Sequence, residues 1–242
     1  MNNLYTILVT LISGLATMLG NIFLLIPIKY KNKVLSYSLG LTFIVIFLIS
    51  ILELIPEGLK LIYPNYHILI TFTMSLIFLC LGAIFVKICD NKINNKDTLY
   101  KIGILSMLSI LIHNIPEGII CAITSINNPS LGLKMTFLIM LHNIPEGIAI
   151  CLPIYYATKN KRKALLYTLI SGLGEVTGAI ITILFLKPFI TSFLLYIIFL
   201  ITAGIMIYLS INNILKTAIN IKKYIYILLG IIIGVVIVLI TL

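Results

Sequence analysis

Eight long apolar runs separated by short polar stretches fill the chain, at approximately 4–28, 34–56, 66–86, 102–124, 132–156, 164–186, 189–211 and 224–242. A helix needs about 20 apolar residues to cross a bilayer, so each run is long enough for one crossing. The pattern predicts an all-α polytopic membrane protein: one transmembrane domain of eight helices over 1–242, with no room for a soluble domain. The first run has no basic residue before it and is too long for the core of a signal peptide, so it is expected to remain as a span.

Polar residues inside these runs carry the chemical information. His113-Asn114-Ile115-Pro116-Glu117-Gly118-Ile119 returns unchanged as His142-Asn143-Ile144-Pro145-Glu146-Gly147-Ile148, each copy in the middle of its run. Ionisable groups at that depth point to a functional site. On a helix His113 and Glu117 are four apart and Asn114 and Glu117 three apart, so imidazole, amide and carboxylate share one face. Each proline removes a backbone hydrogen bond and crowds the carbonyl one turn back, at Ile112 and Leu141, which predicts a kinked, locally open helix. Two such faces can hold two cations with the glutamates bridging them. Imidazole nitrogen with carboxylate and amide oxygen suits zinc, iron(II) or manganese.

Asn127-Asn128-Pro129-Ser130, between the copies, is a turn-forming cluster, so the two helices run antiparallel and form a local inverted pair. Inverted pairs in transporters place substrate near the midplane of the membrane. Of seven acidic residues only Asp90 and Asp97 fall in loops; Glu53, Glu117, Glu146 and Glu175 lie within runs and Glu57 at the end of one. Burying carboxylates without a cation is expensive.

The second run ends in a degraded copy of the motif, with Glu53 where histidine stood and Leu54 where asparagine stood. At about 1.5 Å per residue, Glu53 lies about 30 Å along its helix from Lys33, whereas His113 lies about 18 Å from Lys101. That arithmetic puts Glu53 and Glu57 nearer the outer face, suited to attracting a cation at an entrance. Ser171, Gly172, Gly174 and Gly178 surround Glu175 and let a neighbouring helix approach closely. The first run, with Gly14 and Gly20 but no ionisable group, reads as packing surface, and the last as scaffold.

Composition agrees: 61% of the 242 residues are hydrophobic, 10% are charged and none is tryptophan. A net charge of +10 suggests an anionic partner until its distribution is seen. Lys29, Lys31, Lys33, Lys87, Lys92, Lys96, Lys101, Lys159, Lys161, Arg162, Lys163, Lys216, Lys222 and Lys223 occupy alternate loops, against Lys60, Lys134 and Lys187 on the other side. This positive-inside bias places both termini outside the cytoplasm and leaves no case for nucleic acid as a partner. Cys80, Cys89, Cys121 and Cys151 form no Cys-x-x-Cys and read as small buried hydrophobes.

The repeated His-Asn-Ile-Pro-Glu-Gly resembles the fourth and fifth transmembrane helices of the ZIP (Zrt/Irt-like protein) metal transporters, above all their bacterial zinc-uptake branch. Ser50-Ile51-Leu52-Glu53-Leu54-Ile55-Pro56, Ile170-Ser171-Gly172-Leu173-Gly174-Glu175 and Ala203-Gly204-Ile205-Met206 match in the same order. The resemblance implies a ZIP-like bundle with inverted-repeat character in the cell membrane, the lipid bilayer around it and a homodimer among the assemblies it admits. It implies that His113, Glu117, His142 and Glu146 hold a first metal. Asn114, Asn143 and Glu175, with both bridging glutamates, would hold a second, and a site role falls near Glu53. Many such relatives carry a histidine-rich segment in the cytoplasmic loop, here 87–101, which has none, and an acidic pair where this chain has Asn212-Asn213.

These readings converge on a secondary transporter that takes up divalent cations, zinc first and iron, manganese or cadmium after it, with no cofactor beyond the transported metal. Empty, the buried carboxylates repel one another and some hold protons, so metal entry expels protons. Ligand chemistry alone leaves export open as an alternative. A membrane-embedded metalloenzyme is a second alternative, against which stand the absence of His-Glu-x-x-His and a ligand set large enough to fill the metals' coordination.

Overall fold

The structure, a computed structural model, describes residues 3–26, 30–63, 66–92, 98–186 and 191–241. Among these residues it is all-helical and arranged as eight helices: α1 (Asn3–Leu25), α2 (Lys31–Ile62), α3 (Ile68–Lys92), α4 (Thr98–Asn127), α5 (Pro129–Thr158), α6 (Lys161–Phe185), α7 (Ser192–Asn220) and α8 (Tyr224–Thr241). The first seven are long and apolar enough to cross a membrane, and α8 contributes a shorter apolar stretch, Tyr224–Ile240. At about 1.5 Å per residue those 17 residues reach about 26 Å, close to the thickness of a bilayer's hydrocarbon. Large apolar side chains such as Leu8, Phe72, Leu76, Ile84, Ile232 and Leu239 cover the outside, as lipid requires.

Local sequence explains the boundaries. Asn128 alone separates α4 from α5; its side chain accepts from the Leu131 N–H at 3.2 Å and Pro129 opens the next helix, where its missing N–H costs nothing. Asn160 caps α6 in the same way, and α5 ends on Lys159 in the left-handed conformation.

Several expected boundaries move. Lys87–Lys92 complete α3 and Thr98 opens α4, so the 87–101 loop is mostly helix; Lys96 and Asp97, like Lys29 and Lys187, lie outside the described residues. Asp90, expected in a loop, is helical and pairs with Lys101 at 3.0 Å. The prolines at 116 and 145 sit inside helices that run on past them, Thr98–Asn127 and Pro129–Thr158. The four cysteines are free, but only Cys121 and Cys151 are buried; Cys89 is half-buried, and Cys80 is exposed on the apolar surface of α3.

Interhelix packing divides the bundle. α1, α4, α5 and α6 pack chiefly on one another, α4 along α5 and α6, α1 along α5 and α6. α2 lies along α8, and α3 along α7, where the Tyr196 hydroxyl meets Ser75 Oγ at 2.9 Å. Contacts between the groups run mainly through α2 with α5 and α4 with α7.

Candidate metal site

Each motif glycine sits where two backbones touch. A Cβ on Gly118 would lie 2.0 Å from the Glu175 carbonyl oxygen, and one on Gly147 1.8 Å from that of Thr17. Neither position admits a side chain, so α6 and α1 press directly on the motif helices. The polar faces of α4 and α5 turn inward between them.

The first four residues of the site meet there. Glu117 Oε1 lies 3.0 Å from His113 Nε2 and 3.0 Å from His142 Nε2, and His113 Nε2 stands 3.7 Å from Glu146 Oε1. His113, Asn114, Asn143, Glu146 and Glu175 are fully buried, with His142 and Glu117 at 2% and 7% exposure. The contact from His142 to Glu117 has hydrogen-bond geometry, whereas His113 meets Glu117 without it.

Asn143 and Glu175 form a second group with a residue the sequence reading passed over. The Ser13 hydroxyl donates to Glu175 Oε2, and Asn143 Nδ2 donates to Glu175 Oε1 and, at 2.8 Å, to the Ser13 carbonyl. Asn114 Nδ2 donates to the Ser171 carbonyl at 3.1 Å. Reading α1 as packing surface alone was therefore incomplete. The available signal was the phrase Ile12-Ser13-Gly14-Leu15, spelled again as Ile170-Ser171-Gly172-Leu173.

Glu53 also moves. The helix does not stop near Pro56 but continues through Ile62, which sets Glu53 about 14 Å below that end. It is half-buried, inside a π-helical turn over Ser50–Leu54, and close enough to His142, Glu117 and His113 to interact electrostatically. Single π-turns in long helices often mark functional positions. Of the two carboxylates expected at an entrance, Glu57 alone stays outside, half-exposed and paired with Lys60 at 2.5 Å. His67 is exposed and accepts from the Leu69 N–H.

The interior holds a set of polar atoms, mostly acceptors, left open. Both oxygens of Glu146, Glu117 Oε2, Asn114 Oδ1, Asn143 Oδ1 and both ring nitrogens of His113 are buried without hydrogen-bond partners. Leaving a buried carboxylate uncompensated costs several kcal/mol. Among the described residues no three His, Cys, Asp or Glu side chains form a ready-made metal cage. The spacing is nevertheless suitable, since two ligands about 2.1 Å from one ion stand about 3.0–3.4 Å apart, and the histidine–Glu117 distances fall at that separation.

Comparison with known proteins meets this geometry from another direction. The chain is similar to the zinc transporter ZupT of Chlorobium chlorochromatii (strain CaD3), with 30% identity over 261 aligned positions covering 100% of this chain and 97% of that protein. It is similar to the ZupT of Campylobacter jejuni subsp. jejuni, with 35% identity over 251 positions covering 87% and 86%. The ZupT of Lysinibacillus sphaericus (strain C3-41) shares 34% over 230 positions, 86% of each chain. The profile of the family described as "ZIP Zinc transporter" matches residues 89–241, well over half the length. This is a multi-pass protein of the cell membrane, and it belongs to the ZIP zinc transporter family.

Proposed function

We propose that the chain is a secondary carrier that brings divalent transition-metal cations, zinc first, into the cell through the buried cluster of α4, α5 and α6. The observation that carries this reading is the set of buried oxygens and nitrogens without partners at the centre of an apolar bundle. His113, Glu117, His142 and Glu146 take one cation, in competition with the contacts they now make to one another. Asn114, Asn143 and Glu175 take a second, with Glu117 and Glu146 shared. Glu53, on the lip of the same cluster, receives the ion before it reaches the histidines. Both termini lie outside the cytoplasm on the strength of the lysine distribution.

The packing suggests the moving part. α1, α4, α5 and α6 hold every group of the two positions and pack mostly on one another, so they can shift as a unit against α2, α3, α7 and α8. Energy comes from the ion's own gradient or its capture inside.

Uptake of zinc, iron(II) and manganese into proteoliposomes tests the reading. Saturable flux in the wild type that disappears in His142→Ala is the expected result. No flux of any ion by folded wild-type protein would sink it. The cation competes with protons for imidazole and carboxylate, so binding must weaken as pH falls; zinc titrations at two pH values read that sign.

A further inference from the structure

We propose that Ser13 is a positioning residue for the second metal position, fixing Glu175 through its hydroxyl and Asn143 through its carbonyl so that Asn143 Oδ1 and the remaining lone pairs of the Glu175 carboxylate are presented to a divalent cation. The proposal rests on the two-cation reading above and adds a fourth helix, α1, to the site.

The approach of α1 is built for this contact. A Cβ on Gly14 would lie 2.2 Å from the Gly172 carbonyl oxygen and one on Gly172 2.1 Å from that of Gly14, so the two backbones touch one residue beyond Ser13. Ser13 is fully buried there. Its single hydroxyl proton has three acceptors in reach: the carbonyls of Val9 at 3.3 Å and Thr10 at 3.1 Å, and Glu175 Oε2. Of the three, only the carboxylate oxygen belongs to another helix.

The amide of Asn143 completes the clamp. Both hydrogens of Nδ2 are committed, one to the Ser13 carbonyl and one to Glu175 Oε1. That fixes which way the amide is turned and leaves Oδ1 buried and free to accept. Each oxygen of Glu175 is then held by one donor and keeps a lone pair for a cation.

The fold supplies its own control. Ser171 stands in the same Ile-Ser-Gly-Leu phrase, is equally buried, and holds Asn114 by its carbonyl, but its hydroxyl has no partner. Two serines that merely fill the α1–α6 crossing respond alike to loss of the hydroxyl. A positioning serine does not. Removing the partner that orients a metal ligand typically weakens binding 10- to 100-fold.

The experiment is zinc titration calorimetry on the purified full chain in detergent, for wild type, Ser13→Ala, Ser171→Ala and Glu175→Gln, with thermal unfolding in parallel. Glu175→Gln identifies which binding event belongs to the second position. The expected result is two events in the wild type, with that second event weakened roughly 10- to 100-fold in Ser13→Ala and unchanged in Ser171→Ala. Two events in the wild type with Ser13→Ala unchanged, or with both serine variants equally weakened, would overturn the role of Ser13 and leave the two-cation reading standing. A single event, or none, in the wild type would overturn both.

Discussion

α1 and α6 cross the bundle in opposite directions, and where they meet they spell nearly the same phrase. Ile12-Ser13-Gly14-Leu15-Ala16-Thr17 faces Ile170-Ser171-Gly172-Leu173-Gly174-Glu175. The two serine carbonyls hold the two motif asparagines, Asn143 at 2.8 Å and Asn114 at 3.1 Å. Gly147 presses on the backbone of Thr17 as Gly118 presses on that of Glu175. The correspondence fails at two positions, Ala16 opposite Gly174 and Thr17 opposite Glu175, and only the second changes the charge. α2 and α7 repeat the pattern: each passes through a π-turn opening on Ser-Ile, and its fourth residue is Glu53 in one and Asn213 in the other. Asn213 donates at 3.3 Å to Asp90, itself paired with Lys101 on α4. The backbone framework is close to twofold, and the charge is not. One cluster forms, on the side where the carboxylates are.

The largest expected break of this comparison comes from the motif glutamates, identical in sequence and unequal in surroundings. Glu117 touches both histidines, whereas neither oxygen of Glu146 has a hydrogen-bond partner. Glu117→Gln and Glu146→Gln are both expected to abolish zinc flux in proteoliposomes. Their metal-free stabilities should diverge. Glu117→Gln loses contacts that two buried imidazoles depend on and falls by about 1–3 kcal/mol; Glu146→Gln breaks no hydrogen bond, weakens only the 3.7 Å approach to His113, and replaces a buried carboxylate by a neutral amide, so it holds or gains. Equal thermal shifts in the two variants would show that the motif copies are interchangeable.

Next in size are the glycines. Gly118→Ala and Gly147→Ala each drive a methyl group into a carbonyl oxygen, at 2.0 and 1.8 Å, and should destabilise the fold by about 1–3 kcal/mol. Only Gly118→Ala displaces the backbone that carries Glu175, so zinc titration should separate them: weakened second binding there, and a smaller effect in Gly147→Ala. If Gly147→Ala weakens zinc binding as much, Thr17 lies closer to the cations than its chemistry suggests.

Much of this architecture was legible in the chain. The eight apolar runs fixed the helix count because a bilayer sets a length, and the repeated heptapeptide announced a site because ionisable groups rarely enter hydrocarbon without a purpose. What escaped was what depends on contacts between distant helices. Ser13 carries no charge, and only the closeness of Gly14 to Gly172 gives its hydroxyl a role. The depth of Glu53 is counted from Lys33, and that count leaves out the helix beyond it, which Pro56 opens after the π-turn, where proline is tolerated, and which runs to Ile62. Asp90 and Asn213 are unremarkable apart and meet only because α3 lies along α7.

The smallest effect is expected at Thr17, which stands where the other half has the charge of Glu175. Thr17 is fully buried, and its hydroxyl, like that of Ser171, has no partner. Valine has nearly the same shape and lacks the group that burial leaves unsatisfied, so Thr17→Val should leave the melting temperature unchanged or raise it, by about 1 kcal/mol of stability at most. Zinc affinity and flux should match the wild type. Glu175→Gln, the same kind of change at the corresponding residue of α6, should instead weaken one zinc-binding event while leaving the fold in place. Should Thr17→Val also weaken zinc binding, the threonine hydroxyl takes part in the site through a cation or a water, and the charge asymmetry between the halves would not be an asymmetry of function.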